Sequence, residues 1–214
     1  MKTRIVLLGP PASGKGTQAE LIKARYDIPS ASPGAMLREE MRQGTPLGIE
    51  ADRLTRDGSM VPDAMVLQIV SNWLTIHSES FIFDGFPRTI TQAEALDQML
   101  SKQGHALDAV LFFDITAQTI FERVMNRLTC TQCGRSFALG LHLASEQERC
   151  LACGGAMIRR SDDTPEALEH RIEQYIEKTE PLVEYYQHRG LLWTLTSADR
   201  PEGVFREIVQ ILEA

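Results

Sequence analysis

The chain has 214 residues, of which 43% are hydrophobic and 24% are charged, which is enough for one substantial core with small insertions. The formal net charge of −7 argues against a nucleic-acid partner, and no apolar run reaches the length of a membrane span. Residues 1–4 lead directly into an apolar run without the features of a cleavable signal peptide, so we predict a cytoplasmic protein.

Short apolar runs alternate with helical patterns along most of the chain. The predicted strands are residues 5–8, 28–31, 81–83, 110–113 and 191–195. The predicted helices are residues 18–26, 89–101, 117–128, 165–188 and 201–212. This alternation predicts an α/β fold with a five-stranded, parallel, doubly wound sheet that binds ligands at the carboxyl ends of its strands.

Two stretches interrupt this alternation. Residues 32–63 contain short helical pieces at 36–43 and 49–57, separated by glycine and proline, and predict a small helical insertion. Residues 129–160 form the second insertion and contain every cysteine of the chain.

The first predicted strand runs into a glycine-bounded loop with the spacing Gly9-x4-Gly14-Lys15, and a helix follows. In this context backbone N–H groups converge on one point, and the helix N-terminus adds partial positive charge. Lys15 can reach the outer phosphates of a nucleotide. Gly16 replaces the usual Ser or Thr, and the hydroxyl comes one residue later at Thr17. The loop predicts binding of a nucleoside triphosphate; the alternative is a glycine-rich turn without a ligand.

The third predicted strand ends in Asp84 and continues as Gly85-Phe-Pro-Arg88. A carboxylate at a strand end beside a phosphate loop is the pattern that serves a magnesium ion. Gly85 permits a close approach of a ligand to the backbone, and Arg88 faces the same crevice. The alternative is an ordinary strand end with a surface arginine.

The cysteines occur as two pairs, Cys130-x2-Cys133 and Cys150-x2-Cys153, with 16 residues between the pairs. This spacing is typical of a four-cysteine zinc ribbon, and each pair runs into a glycine that permits a tight turn around the thiolates. A site with four protein ligands leaves no open position, so the metal would be structural. Two disulfides or four free thiols are the alternatives.

Several arginines lie at the two ends of the cysteine insertion. Arg123 and Arg127 are four residues apart, so we expect both on one face of the predicted helix 117–128. Arg160 follows the insertion, and Arg171 lies in the next helix. Any one of them alone would be read as a solvated charge, but their clustering indicates phosphate binding, because the guanidinium fork stays charged and pairs bidentately with phosphate.

Together these motifs resemble the adenylate kinase family of nucleoside monophosphate kinases, in its long form with a metal-bearing lid. The similarity spans essentially the whole chain and rests on Gly9–Thr17, Met36-Leu37-Arg38, Asp84-Gly-Phe-Pro-Arg88 with Gln92, Arg123, Arg127, the cysteine insertion, Arg160 and Arg171. The resemblance implies a P-loop kinase core of residues 1–31, 62–127 and 161–214. It also implies a monophosphate-binding domain at 32–61 and a zinc-bearing lid at 128–160.

The resemblance also implies roles for individual residues. ATP would be held by Ala12, Ser13, Gly14, Lys15, Gly16, Thr17, Arg127, Ser136, Phe137 and Arg200. AMP would be held by Pro33, Arg38, Ser59, Met60, Val61, Gly85, Arg88, Gln92, Arg160 and Arg171, with Gln92 reading the adenine edge. Lys15, Arg88, Arg123, Arg160 and Arg171 would surround the transferred phosphoryl group, and Asp84 would act on Mg²⁺ through waters. A cis bond would precede Pro87.

The implied activity is reversible transfer of the ATP γ-phosphoryl group to AMP, giving two ADP, by a monomer with Mg²⁺ and a structural Zn²⁺. Three positions depart from the family pattern. Ala12 replaces a glycine, which we expect a negative φ to accommodate. Pro33 replaces a threonine, and Ala35 replaces an aspartate. These departures leave two alternatives open: a UMP/CMP-type kinase, and a nucleotide-binding redox or metal sensor.

Overall fold

The computed structural model describes residues 1–55, 61–140, 142–160, 163–196 and 200–214. In chain order its elements are β1 (Arg4–Leu8), α1 (Lys15–Tyr26), β2 (Ser30–Ala31), α2 (Pro33–Gln43), α3 (Pro46–Thr55), α4 (Asp63–His77), β3 (Phe81–Asp84), α5 (Ile90–Ser101), β4 (Ala109–Asp114), α6 (Ala117–Met125), β5 (Arg127–Cys130), β6 (Ser136–Ala138), β7 (Met157–Ile158), α7 (Pro165–Gln174), a π-helical turn (Tyr175–Thr179), α8 (Pro181–Gln187), β8 (Leu192–Thr196) and α9 (Pro201–Glu213).

The main sheet has five strands in the order β2-β3-β1-β4-β8, and every pairing is parallel. Its central strands are short apolar runs because helices cover both faces of the sheet. Successive side chains of β1 alternate between the faces: Val6 packs with α4, α5 and α8, whereas Leu7 packs with α1 and α9. The prediction of a parallel, doubly wound α/β sheet is confirmed.

A crevice opens at the carboxyl ends of β1 and β3, which are neighbours in the sheet. The chain leaves β1 towards α1 on one face and leaves β3 towards α5 on the other. The two loops therefore diverge, and this divergence is the general place for a ligand in an open α/β sheet.

Helix α6 is shorter than predicted, since it ends at Met125 with Asn126 as its C-cap. The next residues form β5, in which Leu128 and Cys130 are buried while Arg127 and Thr129 are less so. The two-residue period of burial thus overrides the helical pattern. The expectation that Arg123 and Arg127 share one helix face is wrong, because Arg127 lies on a strand.

Two further differences concern helices. The predicted helix 165–188 is interrupted by the π-helical turn Tyr175–Thr179 directly before α8, which Pro181 opens. Proline has no N–H to continue the helical ladder, so the hydrogen bonding changes there. Helix α4 has no counterpart among the predicted elements.

The second sheet is antiparallel, with the order β6-β5-β7. It belongs to the cysteine segment, by which we mean the described part of residues 128–160. A small core of Leu128, Leu143 and Met157 packs here with two of the cysteines. The segment touches α1 through the ion pair Arg135–Glu20, whose N···O distance is 3.6 Å and whose side chains are both exposed. Across the described ranges, no helix combines the length and apolarity that a membrane crossing requires.

Candidate functional site

The loop between β1 and α1 is shaped by glycines at its two ends. A Cβ atom at Gly9, where φ is +148°, would lie 2.8 Å from the carbonyl oxygen of Phe113, so only glycine fits. Gly14 is the N-cap of α1, with φ of 100°. The first-turn N–H groups of α1 have no partner within the helix, so the loop offers donors and a positive helix end to an anion.

Lys15 lies over this loop and is held by three acceptors. Its Nζ donates to Gly9 O at 2.9 Å, to Pro10 O at 2.7 Å and to Ser13 Oγ at 3.1 Å. Desolvation by burial lowers the pKa of Lys15 from 10.5 to about 8, and the charge of Asp84 opposes this shift. Because the folded-state pKa lies below the unfolded-state value, charged Lys15 costs the ligand-free fold stability at neutral pH. That cost is relieved as the pH rises above about 8.

Asp84 ends β3 and lies against the start of α1. A Cβ atom at Gly16 would be 3.3 Å from Asp84 Oδ2. Gly16, which stands where the general phosphate-loop pattern has Ser or Thr, therefore leaves room for this carboxylate. Asp84 is thus placed between the phosphate loop and the loop that carries Arg88, where an ion shared by two phosphates would need it.

A second anion-binding arrangement lies beside Gly85. Arg88 Nε donates to Gly85 O at 2.8 Å. A Cβ atom at Gly34 would lie 3.5 Å from Arg38 Nη1 and 3.7 Å from Arg88 Nη2, so the two guanidinium groups converge over this glycine. Desolvation lowers the pKa of Arg88, and the charges of Arg171 and Arg38 lower it further while Asp84 raises it. The site therefore gathers cations that need an anion between them.

A cavity adjoins this pair of arginines, and it brings together many of the residues predicted to bind AMP. It is lined by Pro33, Gly34, Leu37, Val61, Val66, Gly85, Arg88 and Gln92. Pro33 opens α2, where the missing N–H costs nothing, and it contributes an apolar wall. Ser59 and Met60 lie outside the described residues. The peptide bond between Phe86 and Pro87 is cis, as the resemblance implies.

The remaining arginines surround the phosphate loop and the base of the cysteine segment. Arg123 Nη1 donates to Ala12 O at 3.4 Å. Arg160 donates to Thr129 Oγ1 at 3.0 Å and to Ser136 Oγ at 3.3 Å. Predicted residues Arg160 and Ser136 are thus in direct contact.

Asp163 is a residue that the sequence analysis missed. It accepts from Arg127 Nε at 2.9 Å and from Arg171 Nη1 at 3.4 Å, and its side chain is only 1% exposed. A buried carboxylate thus holds two of the predicted arginines in place. Its position three residues after Arg160 and directly before the N-cap of α7 is the local signal that could have indicated it.

Two predicted ATP residues lie on elements outside the phosphate loop. Phe137 is on β6, packed against the small core of the cysteine segment. Arg200 is the N-cap residue of α9 and lines a surface groove with Glu202 and Arg206. Gln18 Nε2 donates to Pro201 O at 2.9 Å, so the starts of α1 and α9 are adjacent and Arg200 is near the first helix.

The four cysteines form one cluster, and their sulfur atoms all lie within 4.8 Å of one another. Cys130 and Cys153 Sγ are 3.5 Å apart, and Cys133 and Cys150 Sγ are 3.6 Å apart. These distances exclude S–S bonds and are close to the ~3.8 Å edge of a tetrahedron with Zn–S bonds of about 2.3 Å. The pKa of Cys130 is lowered to about 6, chiefly by a hydrogen bond from the backbone N–H of Cys133. Desolvation opposes this shift, and a second hydrogen bond from the backbone N–H of Gln132 adds to it. The donor set fits a zinc ion.

Tight turns frame this cluster as predicted. Gly134 and Gly154 have φ of 70° and 73°, and their N–H groups donate to Cys130 O and Cys150 O at 3.1 and 2.8 Å. Gln132 N donates to Cys130 Sγ at 3.4 Å. Such N–H···S contacts stabilise thiolates.

Comparison with known proteins identifies the family. A family model described as "Adenylate kinase" matches residues 7–191. Relatives named adenylate kinase from Syntrophomonas wolfei and Clostridium tetani are each 40% identical over 212 residues, which cover 98% of this chain and 99% and 98% of the relatives. One from Archaeoglobus fulgidus is 40% identical over 211 residues, covering 98% of this chain and 97% of its own length. The chain belongs to the adenylate kinase family. It is therefore a phosphotransferase.

Within this adenylate kinase family chain, Ala12 corrects one expectation. Its φ is +56°, in the left-handed region. We had expected a negative φ, because alanine stands here in place of glycine. The left-handed conformation brings Cβ close to the following carbonyl and costs about 1–2 kcal/mol for residues other than glycine. The loop thus retains the conformation that suits glycine and carries strain at Ala12.

We expect Ala12→Gly to stabilise the protein by about 1 kcal/mol, because glycine adopts the left-handed conformation without strain. Urea denaturation of the ligand-free protein measures the change. Ala95→Gly is the matched control: it places the same substitution inside α5, where it should destabilise by about 1 kcal/mol. Destabilisation by both substitutions would contradict the assignment of strain to Ala12.

We expect the affinity for ATP to fall as the pH rises above about 8, by up to about tenfold per pH unit. A bound triphosphate favours the ammonium form and raises the pKa of Lys15, so binding above the free-state pKa takes up a proton. Calorimetric titration in buffers of different ionisation enthalpy measures affinity and proton uptake together. The Lys15→Met variant should bind ATP more weakly, and its affinity should no longer fall with pH above about 8. If the affinity of this variant falls with pH as steeply as that of the native protein, the proton is taken up by another group.

Proposed function

We propose that this protein catalyses the reversible, Mg²⁺-dependent transfer of the γ-phosphoryl group of ATP to AMP, giving two ADP. The observation that carries this proposal is the presence of two anion-binding arrangements on opposite sides of Asp84. One is the phosphate loop with Lys15, and the other is the convergence of Arg38 and Arg88. Two phosphorylated ligands bound there would meet end to end.

On the donor side, the loop from Ala12 to Thr17 would hold the β- and γ-phosphates through backbone N–H groups. Lys15 would exchange its present loop acceptors for phosphate oxygens. Arg123, which reaches Ala12 O, is near enough to add its charge to the same phosphates. Arg127, Ser136, Phe137 and Arg200 would complete the ATP site.

On the acceptor side, Arg38 and Arg88 would bind the AMP phosphate, and the adjoining cavity would take the base. The apolar wall of Pro33, Leu37 and Val66 suits a flat ring, and Gln92 supplies polar groups. Residues 59–61 would contribute backbone groups, of which Val61 belongs to the described cavity wall.

Transfer between the two ligands needs no covalent intermediate, because positioning and charge neutralisation supply the catalysis. Donor and acceptor are both anionic, and Lys15, Arg88, Arg123, Arg160 and Arg171 would offset their repulsion. Mg²⁺ held through waters by Asp84 would supply further positive charge to the phosphates. Asp163 would keep Arg127 and Arg171 oriented until the nucleotides arrive.

Water competes with AMP as an acceptor, so the site must close around its substrates. We assign closure to the insertion of residues 32–61 and to a lid of residues 128–160, which move against a core of residues 1–31, 62–127 and 161–214. Cys130, Cys133, Cys150 and Cys153 would hold a structural Zn²⁺ in that lid and take no part in the chemistry. A cytoplasmic, monomeric enzyme stays our prediction.

The test of the proposed function is a coupled assay with Mg-ATP and each of AMP, GMP, CMP and UMP. We expect a clear preference for AMP. Lys15→Met should lower kcat by about 10²–10³-fold, which excludes a contaminating kinase. Turnover only with UMP or CMP would indicate the sister kinase activity, and ATP binding without any transfer would indicate the sensor.

We expect Cys130→Ser/Cys133→Ser to lower the melting temperature by about 5 °C or more while turnover at low temperature changes little. Loss of the metal removes the cross-link that organises the segment, but no ligand of the reaction. Calorimetry, metal analysis and the coupled assay measure these effects. His142→Ala is the control in the same segment and should retain the zinc. A large loss of turnover with an unchanged melting curve would contradict a structural metal.

A further inference from the structure

The side-chain amide of Gln92 is hydrogen-bonded at both ends. Gln92 is only 1% exposed. Its Oε1 accepts from the backbone N–H of Arg88 at 2.8 Å, and its Nε2 donates to Asp63 Oδ1 at 2.5 Å. The other carboxylate oxygen, Asp63 Oδ2, accepts from Thr89 Oγ1 at 2.8 Å. Asp63 lies at the start of α4, outside every motif of the sequence analysis.

These partners permit only one orientation of the amide. A carboxylate can only accept a hydrogen bond, and a peptide N–H can only donate one. Turning the Gln92 amide over would place its oxygen against Asp63 and its NH₂ group against the N–H of Arg88. Both contacts would then be repulsive, and four polar groups would lose their partners.

The fixed amide still has hydrogen-bonding capacity for a ligand. A glutamine amide offers two N–H groups and two oxygen lone pairs, and the protein uses one of each. Gln92 lines the cavity beside Arg88. The free lone pair and the free N–H of the amide match the N6/N1 edge of adenine, where the 6-amino group donates and N1 accepts. In a 6-oxopurine both positions are reversed, since the 6-oxygen accepts and the neighbouring N1–H donates.

We propose that Asp63 is a positioning residue that sets the purine preference of the acceptor site by fixing the orientation of the Gln92 amide. A fixed amide accepts a 6-aminopurine monophosphate and rejects a 6-oxopurine monophosphate, whereas an amide that can turn over matches either. This inference rests on the proposed function, because it needs the cavity to receive the base of the phosphoryl acceptor.

The test compares AMP with IMP, which differ at the 6-position and at N1 without the added 2-amino group of GMP. In Asp63→Leu the amide NH₂ group loses its acceptor, and only the N–H of Arg88 still favours the native orientation. We expect the kcat/KM ratio of AMP to IMP to fall about tenfold, which corresponds to the loss of one hydrogen bond to a charged group. The change should lie mainly in the KM for the monophosphates, with the KM for ATP unchanged. Because both substrates are assayed on one sample, partial unfolding does not alter the ratio.

Two further variants sharpen the test. Asp63→Asn keeps an oxygen that can accept from Gln92 but can also present an NH₂ group, so its ratio should fall between those of the native protein and Asp63→Leu. Asp97→Asn makes the same substitution on α5, where Asp97 accepts from Tyr185 Oη at 2.9 Å, and should leave the ratio unchanged.

The outcomes separate the two proposals. If the native protein transfers phosphate to neither AMP nor IMP, the proposed function fails. If the native protein prefers AMP and Asp63→Leu keeps the native ratio, the role of Asp63 is overturned while the function stands. If Asp63→Leu does not fold, Asp63→Asn decides: a native ratio overturns the inference, and a lowered ratio supports it.

Discussion

The site depends on holding several cations close together before any phosphate is present. The pKa of Lys15 is lowered first by desolvation, and neighbouring arginines lower it further. Two carboxylates offset part of this repulsion: Asp84 beside the phosphate loop and the buried Asp163 between Arg127 and Arg171. The parallel sheet keeps the remaining repulsion from separating these side chains, because its buried strands fix the loops that carry them. Preorganised charge of this kind does not have to be rearranged when a phosphoryl group moves.

Much of the fold could be predicted from local patterns. The strands of the main sheet are short apolar runs, and burial on both faces makes such runs easy to recognise. The patterns failed where tertiary contacts outweighed local preference. Residues 127–130 continue a helical pattern, yet they pair with β6 and β7, and the small core of the cysteine segment decides their conformation.

Contiguous motifs, such as the phosphate loop and the residues from Asp84 to Arg88, were enough to predict which loops meet at the candidate site. Contacts between residues distant in the chain could not be predicted. Asp163 meets Arg127 across 36 positions, and Asp63 meets Gln92 across 29. Asp63 has no spacing that distinguishes it from a surface acid, and the only local signal for Asp163 is its position between Arg160 and the N-cap of α7. The predicted conformation of Ala12 was wrong for a related reason. The loop is held by its contacts with Lys15 and Arg123, and these contacts determine the backbone conformation at position 12.

The cysteine segment contacts α1 through Arg135 and Glu20, and both side chains are more than half exposed. An ion pair so open to solvent stabilises its contact by at most about 1 kcal/mol and is screened further by salt. Under the closure proposed above for the cysteine segment, this contact would lengthen the dwell time of a closed form by only a small factor. For a reaction whose products are as highly charged as its substrates, the proposed closure would then be weak enough for the nucleotides to leave without becoming slower than the chemistry.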